Sequence, residues 1–217
     1  MKIDASKSIV KVGDGRGFVV EYQQEWPLEA PKQFTTERVV ITAAHCLPQI
    51  PQGVFDDDGK LYKNLLGLLD DRKLGVWAEC MFVDPVSDIA ILCAPHSPDL
   101  MKQNESFLEL MNEAQPVRIS RFQSWWGSPA LVLSLKGEWL SVKVTYEPGY
   151  GLRISYTSQV WLPGMSGSPI VSNDGTAIGL ISGAEDGGSG VYNPLLAHRL
   201  PAWLASAAIL EPVGGEF

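Results

Sequence analysis

The sequence is short of cysteines and has no apolar stretch of membrane-spanning length. Its three cysteines, Cys46, Cys80 and Cys93, cannot all pair with one another. Free, buried thiols in a reducing compartment fit this number best, so we expect a cytoplasmic protein without a disulfide framework. No apolar run reaches the roughly 20 residues that a transmembrane helix needs. The N-terminal residues also lack the apolar segment of a secretory leader, and no membrane partner is expected.

Positive charge is also scarce. The 17 lysines and arginines are outnumbered by 25 acidic residues, which gives a formal net charge of -8. This balance argues against nucleic acid as the main partner, because nucleic acid attracts basic surfaces. What the chain does have is an ordinary globular composition, with 45% hydrophobic residues over 217 positions. That is enough to bury a sizeable core, in one domain or two small lobes.

The most informative stretch is a turn of small residues just before an apolar strand. Residues 162–169 read Leu-Pro-Gly-Met-Ser-Gly-Ser-Pro, which sets Ser166 between two glycines. Such a turn can hold a nucleophile away from its own backbone, and Gly164 allows the main chain to approach a substrate carbonyl. The amides of Gly164 and Ser166 are therefore candidates for an oxyanion hole. Taken alone, a cluster of Gly, Ser and Pro is more often a plain turn.

Two other stretches place acid–base residues at the ends of apolar strands. The run 39–44 predicts a buried strand that ends at His45, and Asp88 stands at the mouth of the run 89–92. A serine hydroxyl needs an imidazole base, and the imidazole needs a carboxylate that fixes its tautomer. Taken singly, His45 reads equally well as a core histidine and Asp88 as a turn residue. Together with Ser166 they predict a catalytic group.

These segments resemble the trypsin-like (chymotrypsin-fold) serine peptidases. The resemblance covers essentially the whole chain. The chain is similar in particular to bacterial intracellular trypsin-like peptidase domains. It implies that His45 is the general base, Asp88 its orienting carboxylate and Ser166 the nucleophile, with no metal or cofactor. The matching segments are 42–46 (Thr-Ala-Ala-His-Cys), 87–92 (Ser-Asp-Ile-Ala-Ile-Leu), 164–169 (Gly-Met-Ser-Gly-Ser-Pro) and 190–193 (Gly-Val-Tyr-Asn).

The strand pattern and the resemblance together specify the fold. Many short apolar segments separated by regular turns predict an all-β chain. The resemblance adds two six-stranded antiparallel β-barrels and a short C-terminal helix. The expected division is a first lobe over 1–100 with His45 and Asp88, a connection over 101–116, and a second lobe over 117–217 with Ser166 and the specificity pocket. Helical spacing predicts a surface helix over 101–111, whereas 61–69 fits either a short strand or a helical turn.

The resemblance also assigns substrate-binding residues. It implies that Val160 forms the base of the primary specificity pocket, Trp161 lies beside it and Gly190 forms one wall. Ser182, Gly183 and Ala184 correspond to the strand that pairs with an extended substrate. Ser182 also falls where relatives hydrogen-bond the triad aspartate.

The base of this pocket predicts which residue precedes the scissile bond. An apolar Val160 disfavours a cation, because an ammonium buried without a partner is costly. We therefore expect an apolar or small residue there. Glu185 and Asp186 at the pocket rim leave open the recruitment of a basic side chain, and they read equally well as a charged loop.

Met165 marks a departure from the family that bears on regulation. Zymogen-activated members have an aspartate before the catalytic serine, which pairs with a newly cut N-terminus. Met165 cannot form that ion pair, so the turn must be ordered constitutively, by substrate, or by an attached regulatory domain or partner protein. We expect the chain to be a module of a larger intracellular protein with regulated activity.

Three other chemistries fit the sequence less well. Ser166, Asp186 and His198 have the chain order of an α/β-hydrolase, but Ser168 replaces the last glycine of the nucleophile elbow and the segment after Ser166 is short. A cysteine nucleophile is disfavoured because serine occupies the oxyanion turn. The acidic run 56–58 lacks the alternating ligands of a calcium loop.

The sequence therefore predicts a serine endopeptidase that acts on protein or peptide substrates. The alternative is a catalytically silent module that holds an extended peptide in the same cleft. A complete set of His45, Asp88, Ser166 and Gly164 favours the enzyme, since binding alone has no chemical need for all four.

Overall fold

The computed structural model describes residues 5–26, 33–51, 60–71, 74–121, 127–155, 163–182 and 192–210. These residues form two β-sheets with short helices. The strands of the first sheet are β1 (Ile9–Val12), β2 (Gly15–Trp26), β3 (Gln33–Thr42), β4 (Leu61–Leu68), β5 (Val76–Asp84) and β6 (Ile89–Cys93). Segment 61–69, which the sequence left undecided, is thus mainly a strand.

The first sheet closes into an antiparallel barrel. Its strand order is β1-β2-β3-β6-β5-β4, and β1 closes the ring by pairing with both β2 and β4. The central pairing joins β2 to β3 over ten residue pairs, and β3 then pairs with β6, with Val40 opposite Leu92. Because β3 and β6 are neighbours, the loops that follow β3 and precede β6 meet at one end of the barrel.

The second sheet has eight strands in the order β13-β10-β9-β8-β11-β12-β7-β14. Most of its neighbours are antiparallel, whereas β7 runs parallel to β12 and to β14. Strands β11 and β12 pair as a hairpin across residues 173–175. The strands are β7 (Ile119–Ser120), β8 (Ser128–Leu133), β9 (Trp139–Glu147), β10 (Gly151–Ser155), β11 (Pro169–Ser172), β12 (Ala177–Leu180), β13 (Tyr192–Asn193) and β14 (Ile209–Leu210).

Strands β2, β3 and β6 are apolar on both faces because each face lies in a different core. Val19, Val40 and Leu92 belong to the core inside the barrel. The alternating neighbours, such as Ile41 and Ile91, belong to a second core that contains residues of β7, β12 and the C-terminal helices. Each such side chain contributes about 1.5–3 kcal/mol on burial. The two sheets are therefore packed directly against each other.

Three helices flank the sheets: α1 (Met101–Glu113), α2 (Leu196–Arg199) and α3 (Ala202–Ala208). Helix α1 occupies the segment predicted to be helical and buries Phe107, Leu110 and Met111 in the barrel core. The guanidinium of Arg38 on β3 donates a 2.6 Å hydrogen bond to the carbonyl of Met111. This bond satisfies one of the free carbonyls at the end of α1.

The all-β architecture predicted from the sequence is confirmed, with one closed six-stranded barrel, a second sheet and short C-terminal helices. None of the helices in the described ranges combines the length and apolar character needed to cross a membrane.

Candidate active site

Asp88 is presented by a tight turn between β5 and β6. The carboxylate of Asp84, the last residue of β5, accepts hydrogen bonds from the amides of Val86 at 3.0 Å and Ser87 at 3.1 Å. These bonds fix the chain reversal that precedes β6. Asp88 itself has φ +53°, a left-handed conformation that aspartate tolerates better than most residues. The turn thereby aims the carboxylate across to the loop after β3.

His45 lies in that loop, within a 3-10 helix of one turn, Ala44–Cys46. Asp88 forms two hydrogen bonds with it. One carboxylate oxygen accepts the His45 amide at 2.9 Å, and the other lies 2.7 Å from Nδ1 of the ring. The carbonyl of Asp88 also accepts the amide of Ala44 at 3.2 Å. The His45 side chain is 48% exposed, whereas that of Asp88 is 21% exposed. The arrangement therefore holds the imidazole by Nδ1 and leaves its other nitrogen toward the cleft.

Ser182, just after β12, brings the second sheet to the same carboxylate. Its hydroxyl donates a 2.5 Å hydrogen bond to the oxygen of Asp88 that faces His45 Nδ1. Its amide donates to the side chain of buried Asn193 at 3.0 Å, and the amide group of Asn193 donates in turn to the carbonyl of Leu152 at 3.4 Å. Asp88 is thus held by residues of both sheets.

Ser166 lies in a turn that is tied to the protein at each flanking residue. Met165 is 3% exposed and packs in the core of the second sheet. The amide of Gly167 donates to the carbonyl of Ile181 at 2.7 Å, and the carbonyl of Ser166 accepts the amide of Arg16 at 2.8 Å. These contacts leave the Ser166 side chain partly exposed at the surface of the turn.

His45 and Ser166 open onto one cleft of about 460 Å³. Among the described residues that line it, Asp14 is the only acidic one, and much of the remaining wall is apolar. The lining residues are Gly13, Asp14, Gly15, His45, Cys46, Leu47, Pro48, Leu74, Pro163, Gly164 and Ser166. Asp88 and Ser182 lie behind His45 rather than in this wall.

Gly164 occupies a special position beside Ser166. Its φ of +95° lies in a region that L-residues rarely adopt, which explains the glycine. A side chain there would meet the carbonyl oxygen of Asp14 and the side chain of Leu135. Within the described ranges, the amides of Gly164 and Ser166 do not donate to any backbone carbonyl.

Cys46 is the one cysteine in the cleft wall, and its surroundings make it a poor nucleophile. Burial raises the pKa of its thiol to about 11. Burial likewise raises the pKa of Cys80 to about 11 and that of Cys93 to about 12. All three cysteines are free thiols. In the part of the chain that the structure describes, no group of acidic, His or Cys side chains has the arrangement of a metal site.

The structure brings together the predicted residues His45, Asp88, Gly164, Ser166 and Ser182. The predicted pocket residues Val160, Trp161, Gly183, Ala184 and Gly190 lie outside the described residues, as do the acidic run 56–58 and the pair Glu185 and Asp186.

Sequence reasoning did not single out the contributions of Arg16, Leu74 and Asn193. For Arg16 a signal was available, because a charged residue between two glycines opens strand β2 directly before the apolar run 18–20. Asn193 belongs to the matching segment 190–193, but no role was assigned to its side chain, and Leu74 carries no comparable local signal.

The family described as "Trypsin-like peptidase domain" matches residues 15–180 of the chain. The matched segment contains His45, Asp88, Gly164 and Ser166. No curated protein gives a significant match.

Several solved structures are similar to the chain. The Rv3671c protease of M. tuberculosis H37Rv, in an inactive form, has a TM-score of 0.50 and 20% identity, with 93% of this chain and 89% of that chain covered. An inactive mutant of the murine norovirus NS6 protease has a TM-score of 0.49 and 18% identity, with 92% and 97% covered. The MamO protease domain of Magnetospirillum magneticum has a TM-score of 0.48 and 14% identity, with 87% and 91% covered. At these identities the likeness to Rv3671c concerns the fold alone.

Proposed function

Because the chain belongs to the trypsin-like peptidase family, we propose that it is a serine endopeptidase that cleaves peptide bonds through an acyl-enzyme on Ser166. The observation that carries this proposal is the geometry around His45. Its Nδ1 is bound to Asp88 at 2.7 Å, while its ring opens onto the same cleft as Ser166. His45 thus binds Asp88 through one ring nitrogen and shares a cleft with Ser166, which supports a role in removing the proton of the Ser166 hydroxyl.

The proposed reaction starts when His45 removes the proton of the Ser166 hydroxyl as this oxygen attacks the substrate carbonyl. Asp88 stabilises the imidazolium that forms, because its carboxylate accepts the Nδ1–H bond. The amides of Gly164 and Ser166 donate to the oxyanion of the tetrahedral intermediate. His45 then gives its proton to the leaving amine. Water then attacks the acyl carbonyl while His45 takes one of its protons. The ester bond to Ser166 breaks, His45 returns the proton to the Ser166 oxygen, and the carboxylic acid product leaves.

A serine nucleophile is favoured over a cysteine by the state of Cys46. A thiol needs to ionise before it attacks, and burial holds the pKa of Cys46 near 11, well above neutral pH. Its sulfur also lies close to Gly15, at the floor of the cleft rather than beside Gly164. We therefore assign the nucleophile to Ser166 and a packing role to Cys46.

Location and regulation form part of the same proposal. Free thiols at Cys46, Cys80 and Cys93 support a reducing, cytoplasmic compartment. The buried Met165 supports a turn that is ordered without zymogen cleavage. We propose that control comes instead from an attached regulatory domain or partner protein.

A fluorophosphonate probe tests the proposed function, because it reacts with activated serines only. The wild-type protein is expected to be labelled on Ser166, as read by peptide mass spectrometry, and Ser166→Ala is expected to remain unlabelled. Ser168→Ala is the matched control, because Ser168 is a neighbouring serine whose buried hydroxyl has no hydrogen-bond partner in the described structure. It should be labelled as fast as the wild type. Absence of labelling in the wild type would leave two alternatives, a catalytically silent peptide-binding module and a latent enzyme that requires a trigger.

The expected substrate preference is an apolar or small residue before the scissile bond, from Val160 at the pocket base. Cleavage of a peptide library, read by mass spectrometry of the new termini, should show Ala, Val, Leu or similar residues at that position. Dominant cleavage after Arg or Lys would contradict this and would point to Glu185 and Asp186 as the selecting residues.

A further inference from the structure

Arg16 is a buried cation without an ion-pair partner in the described structure. It is the second residue of β2 and is 6% exposed. Its guanidinium donates to two backbone carbonyls of the second sheet, those of Leu133 at 2.8 Å and Ser134 at 3.1 Å. Burial lowers its pKa, as expected for a charge that gains no carboxylate. Burying a charge in this way is costly, so an apolar side chain would fill the space at lower free energy.

The backbone of Arg16 lies directly against the turn that carries Ser166. Its amide donates to the Ser166 carbonyl at 2.8 Å. Its own carbonyl accepts the hydroxyl of Thr42 at 2.6 Å, which anchors it to β3. A Cβ placed on Gly167 would lie 1.8 Å from this carbonyl oxygen, so the two main chains are in contact. Movement of Arg16 is therefore transmitted to the peptide groups on either side of Ser166.

The guanidinium of Arg16 contacts residues 134–138, the turn between β8 and β9, at Ser134. This turn is closed by the amide of Ser134, which donates to the Glu138 carbonyl, and by the Ser134 hydroxyl, which accepts the amides of Lys136 and Glu138. Leu135 projects from the turn and lies 3.6 Å from the position of a Cβ on Gly164. The guanidinium thus binds the start of the turn whose Leu135 side chain faces Gly164.

We propose that Arg16 is a positioning residue for Ser166 and Gly164. Its backbone fixes the Ser166 peptide, while its guanidinium keeps the 134–138 turn against Gly164. One residue of the barrel thereby ties together the Ser166 turn, which borders the cleft, and the 134–138 turn, which lies against Gly164. The chemical consequence rests on the proposed function, whereas the ordering of the two segments does not.

Arg16→Met tests the proposal, because methionine keeps the apolar stem and removes the donors. Hydrogen exchange by mass spectrometry should show exchange about 10-fold faster in 128–138 and 163–172, and unchanged exchange in β4 and β5. Labelling of Ser166 should slow by roughly 100-fold, since small displacements of reacting groups have effects of this size. With a peptide substrate, kcat should fall and KM should change little. Arg16→Lys retains a charged donor. Its hydrogen-exchange and labelling rates should therefore lie between those of the wild type and those of Arg16→Met.

Arg38→Met is the matched control, because Arg38 on β3 also donates to a backbone carbonyl but does so at the end of α1. It should leave labelling and the exchange of 163–172 within about twofold of the wild type, because the guanidinium of Arg38 contacts Glu21 and Met111 rather than the Ser166 turn. The proposal is overturned if Arg16→Met leaves the exchange of 163–172 unchanged, or speeds it no more than that of β4 and β5. If Arg16→Met does not fold, Arg16→Lys decides by the same criterion. Failure of the proposed function would appear separately, as a wild-type protein that is not labelled.

Discussion

Replacing Asp88 with asparagine is expected to lower kcat by about 10⁴-fold, with KM and thermal stability nearly unchanged. The isosteric side chain keeps an oxygen for the His45 amide, which now donates at 2.9 Å. Its NH₂ group then faces His45 Nδ1 and the Ser182 hydroxyl in place of the oxygen that both contact. This NH₂ forces Nδ1 to accept, so the ring carries its proton on Nε2 and cannot receive the proton of Ser166.

Steady-state kinetics on a peptide that the wild type cleaves would measure this effect. Asp84→Asn is the matched control, because it makes the same chemical change four residues away in the same turn. Asparagine keeps the oxygen that accepts the amides of Val86 and Ser87, so kcat should stay within about threefold. If Asp88→Asn retained a tenth or more of the wild-type kcat, Asp88 would not be the carboxylate that orients His45.

Gly167→Ala is expected to reduce the free energy of unfolding by about 3–5 kcal/mol, one of the largest effects of a single methyl group in this protein. Gly167 has φ +80°, and the added Cβ would lie 1.8 Å from the Arg16 carbonyl and 2.7 Å from Thr42 Oγ1. Neither main chain can move away freely. The Gly167 amide is bonded to Ile181, and the Arg16 amide is bonded to the carbonyl of Ser166.

Urea denaturation of the variant would measure the loss. Gly175→Ala separates the clash from backbone strain, because Gly175 has a similar φ of +87° and nothing within 4 Å of its Cβ position. Gly175→Ala should reduce the free energy of unfolding by about 1–2 kcal/mol, which is the effect of the left-handed conformation alone. Equal losses in the two variants would show that contact with Arg16 does not govern the packing at Gly167.

The parts of the fold that were predictable are those set by local pattern. The strands β3 and β6 and the helix α1 follow from apolar runs and helical spacing, and His45 and Asp88 stand out because each lies at the end of such a strand. Segment 61–69 was harder to assign because β4 is irregular. Its register shifts between Tyr62 and Leu66, and Asn64 has φ +52°, so the strict alternation of a strand is broken.

The missed residues are those whose roles depend on packing between the two sheets. Nothing near Asn193 in sequence shows that its side chain holds the amide of Ser182. Leu74 lines the cleft although it lies just before β5, far in sequence from Ser166. Arg16 acts on carbonyls more than a hundred positions away. Such contacts follow from the tertiary fold, which a pattern of neighbours does not specify.

Met165 gives the nucleophile's turn an apolar anchor in place of an electrostatic one. Attraction between charges weakens as ionic strength rises, whereas burial of a thioether among aliphatic side chains does not. The turn is therefore shaped by the same collapse that forms the core of the second sheet, and its formation coincides with folding. Raised ionic strength and mildly acidic pH do not weaken such an apolar anchor. Loosening of that core, however, would deform the turn before the rest of the chain unfolds.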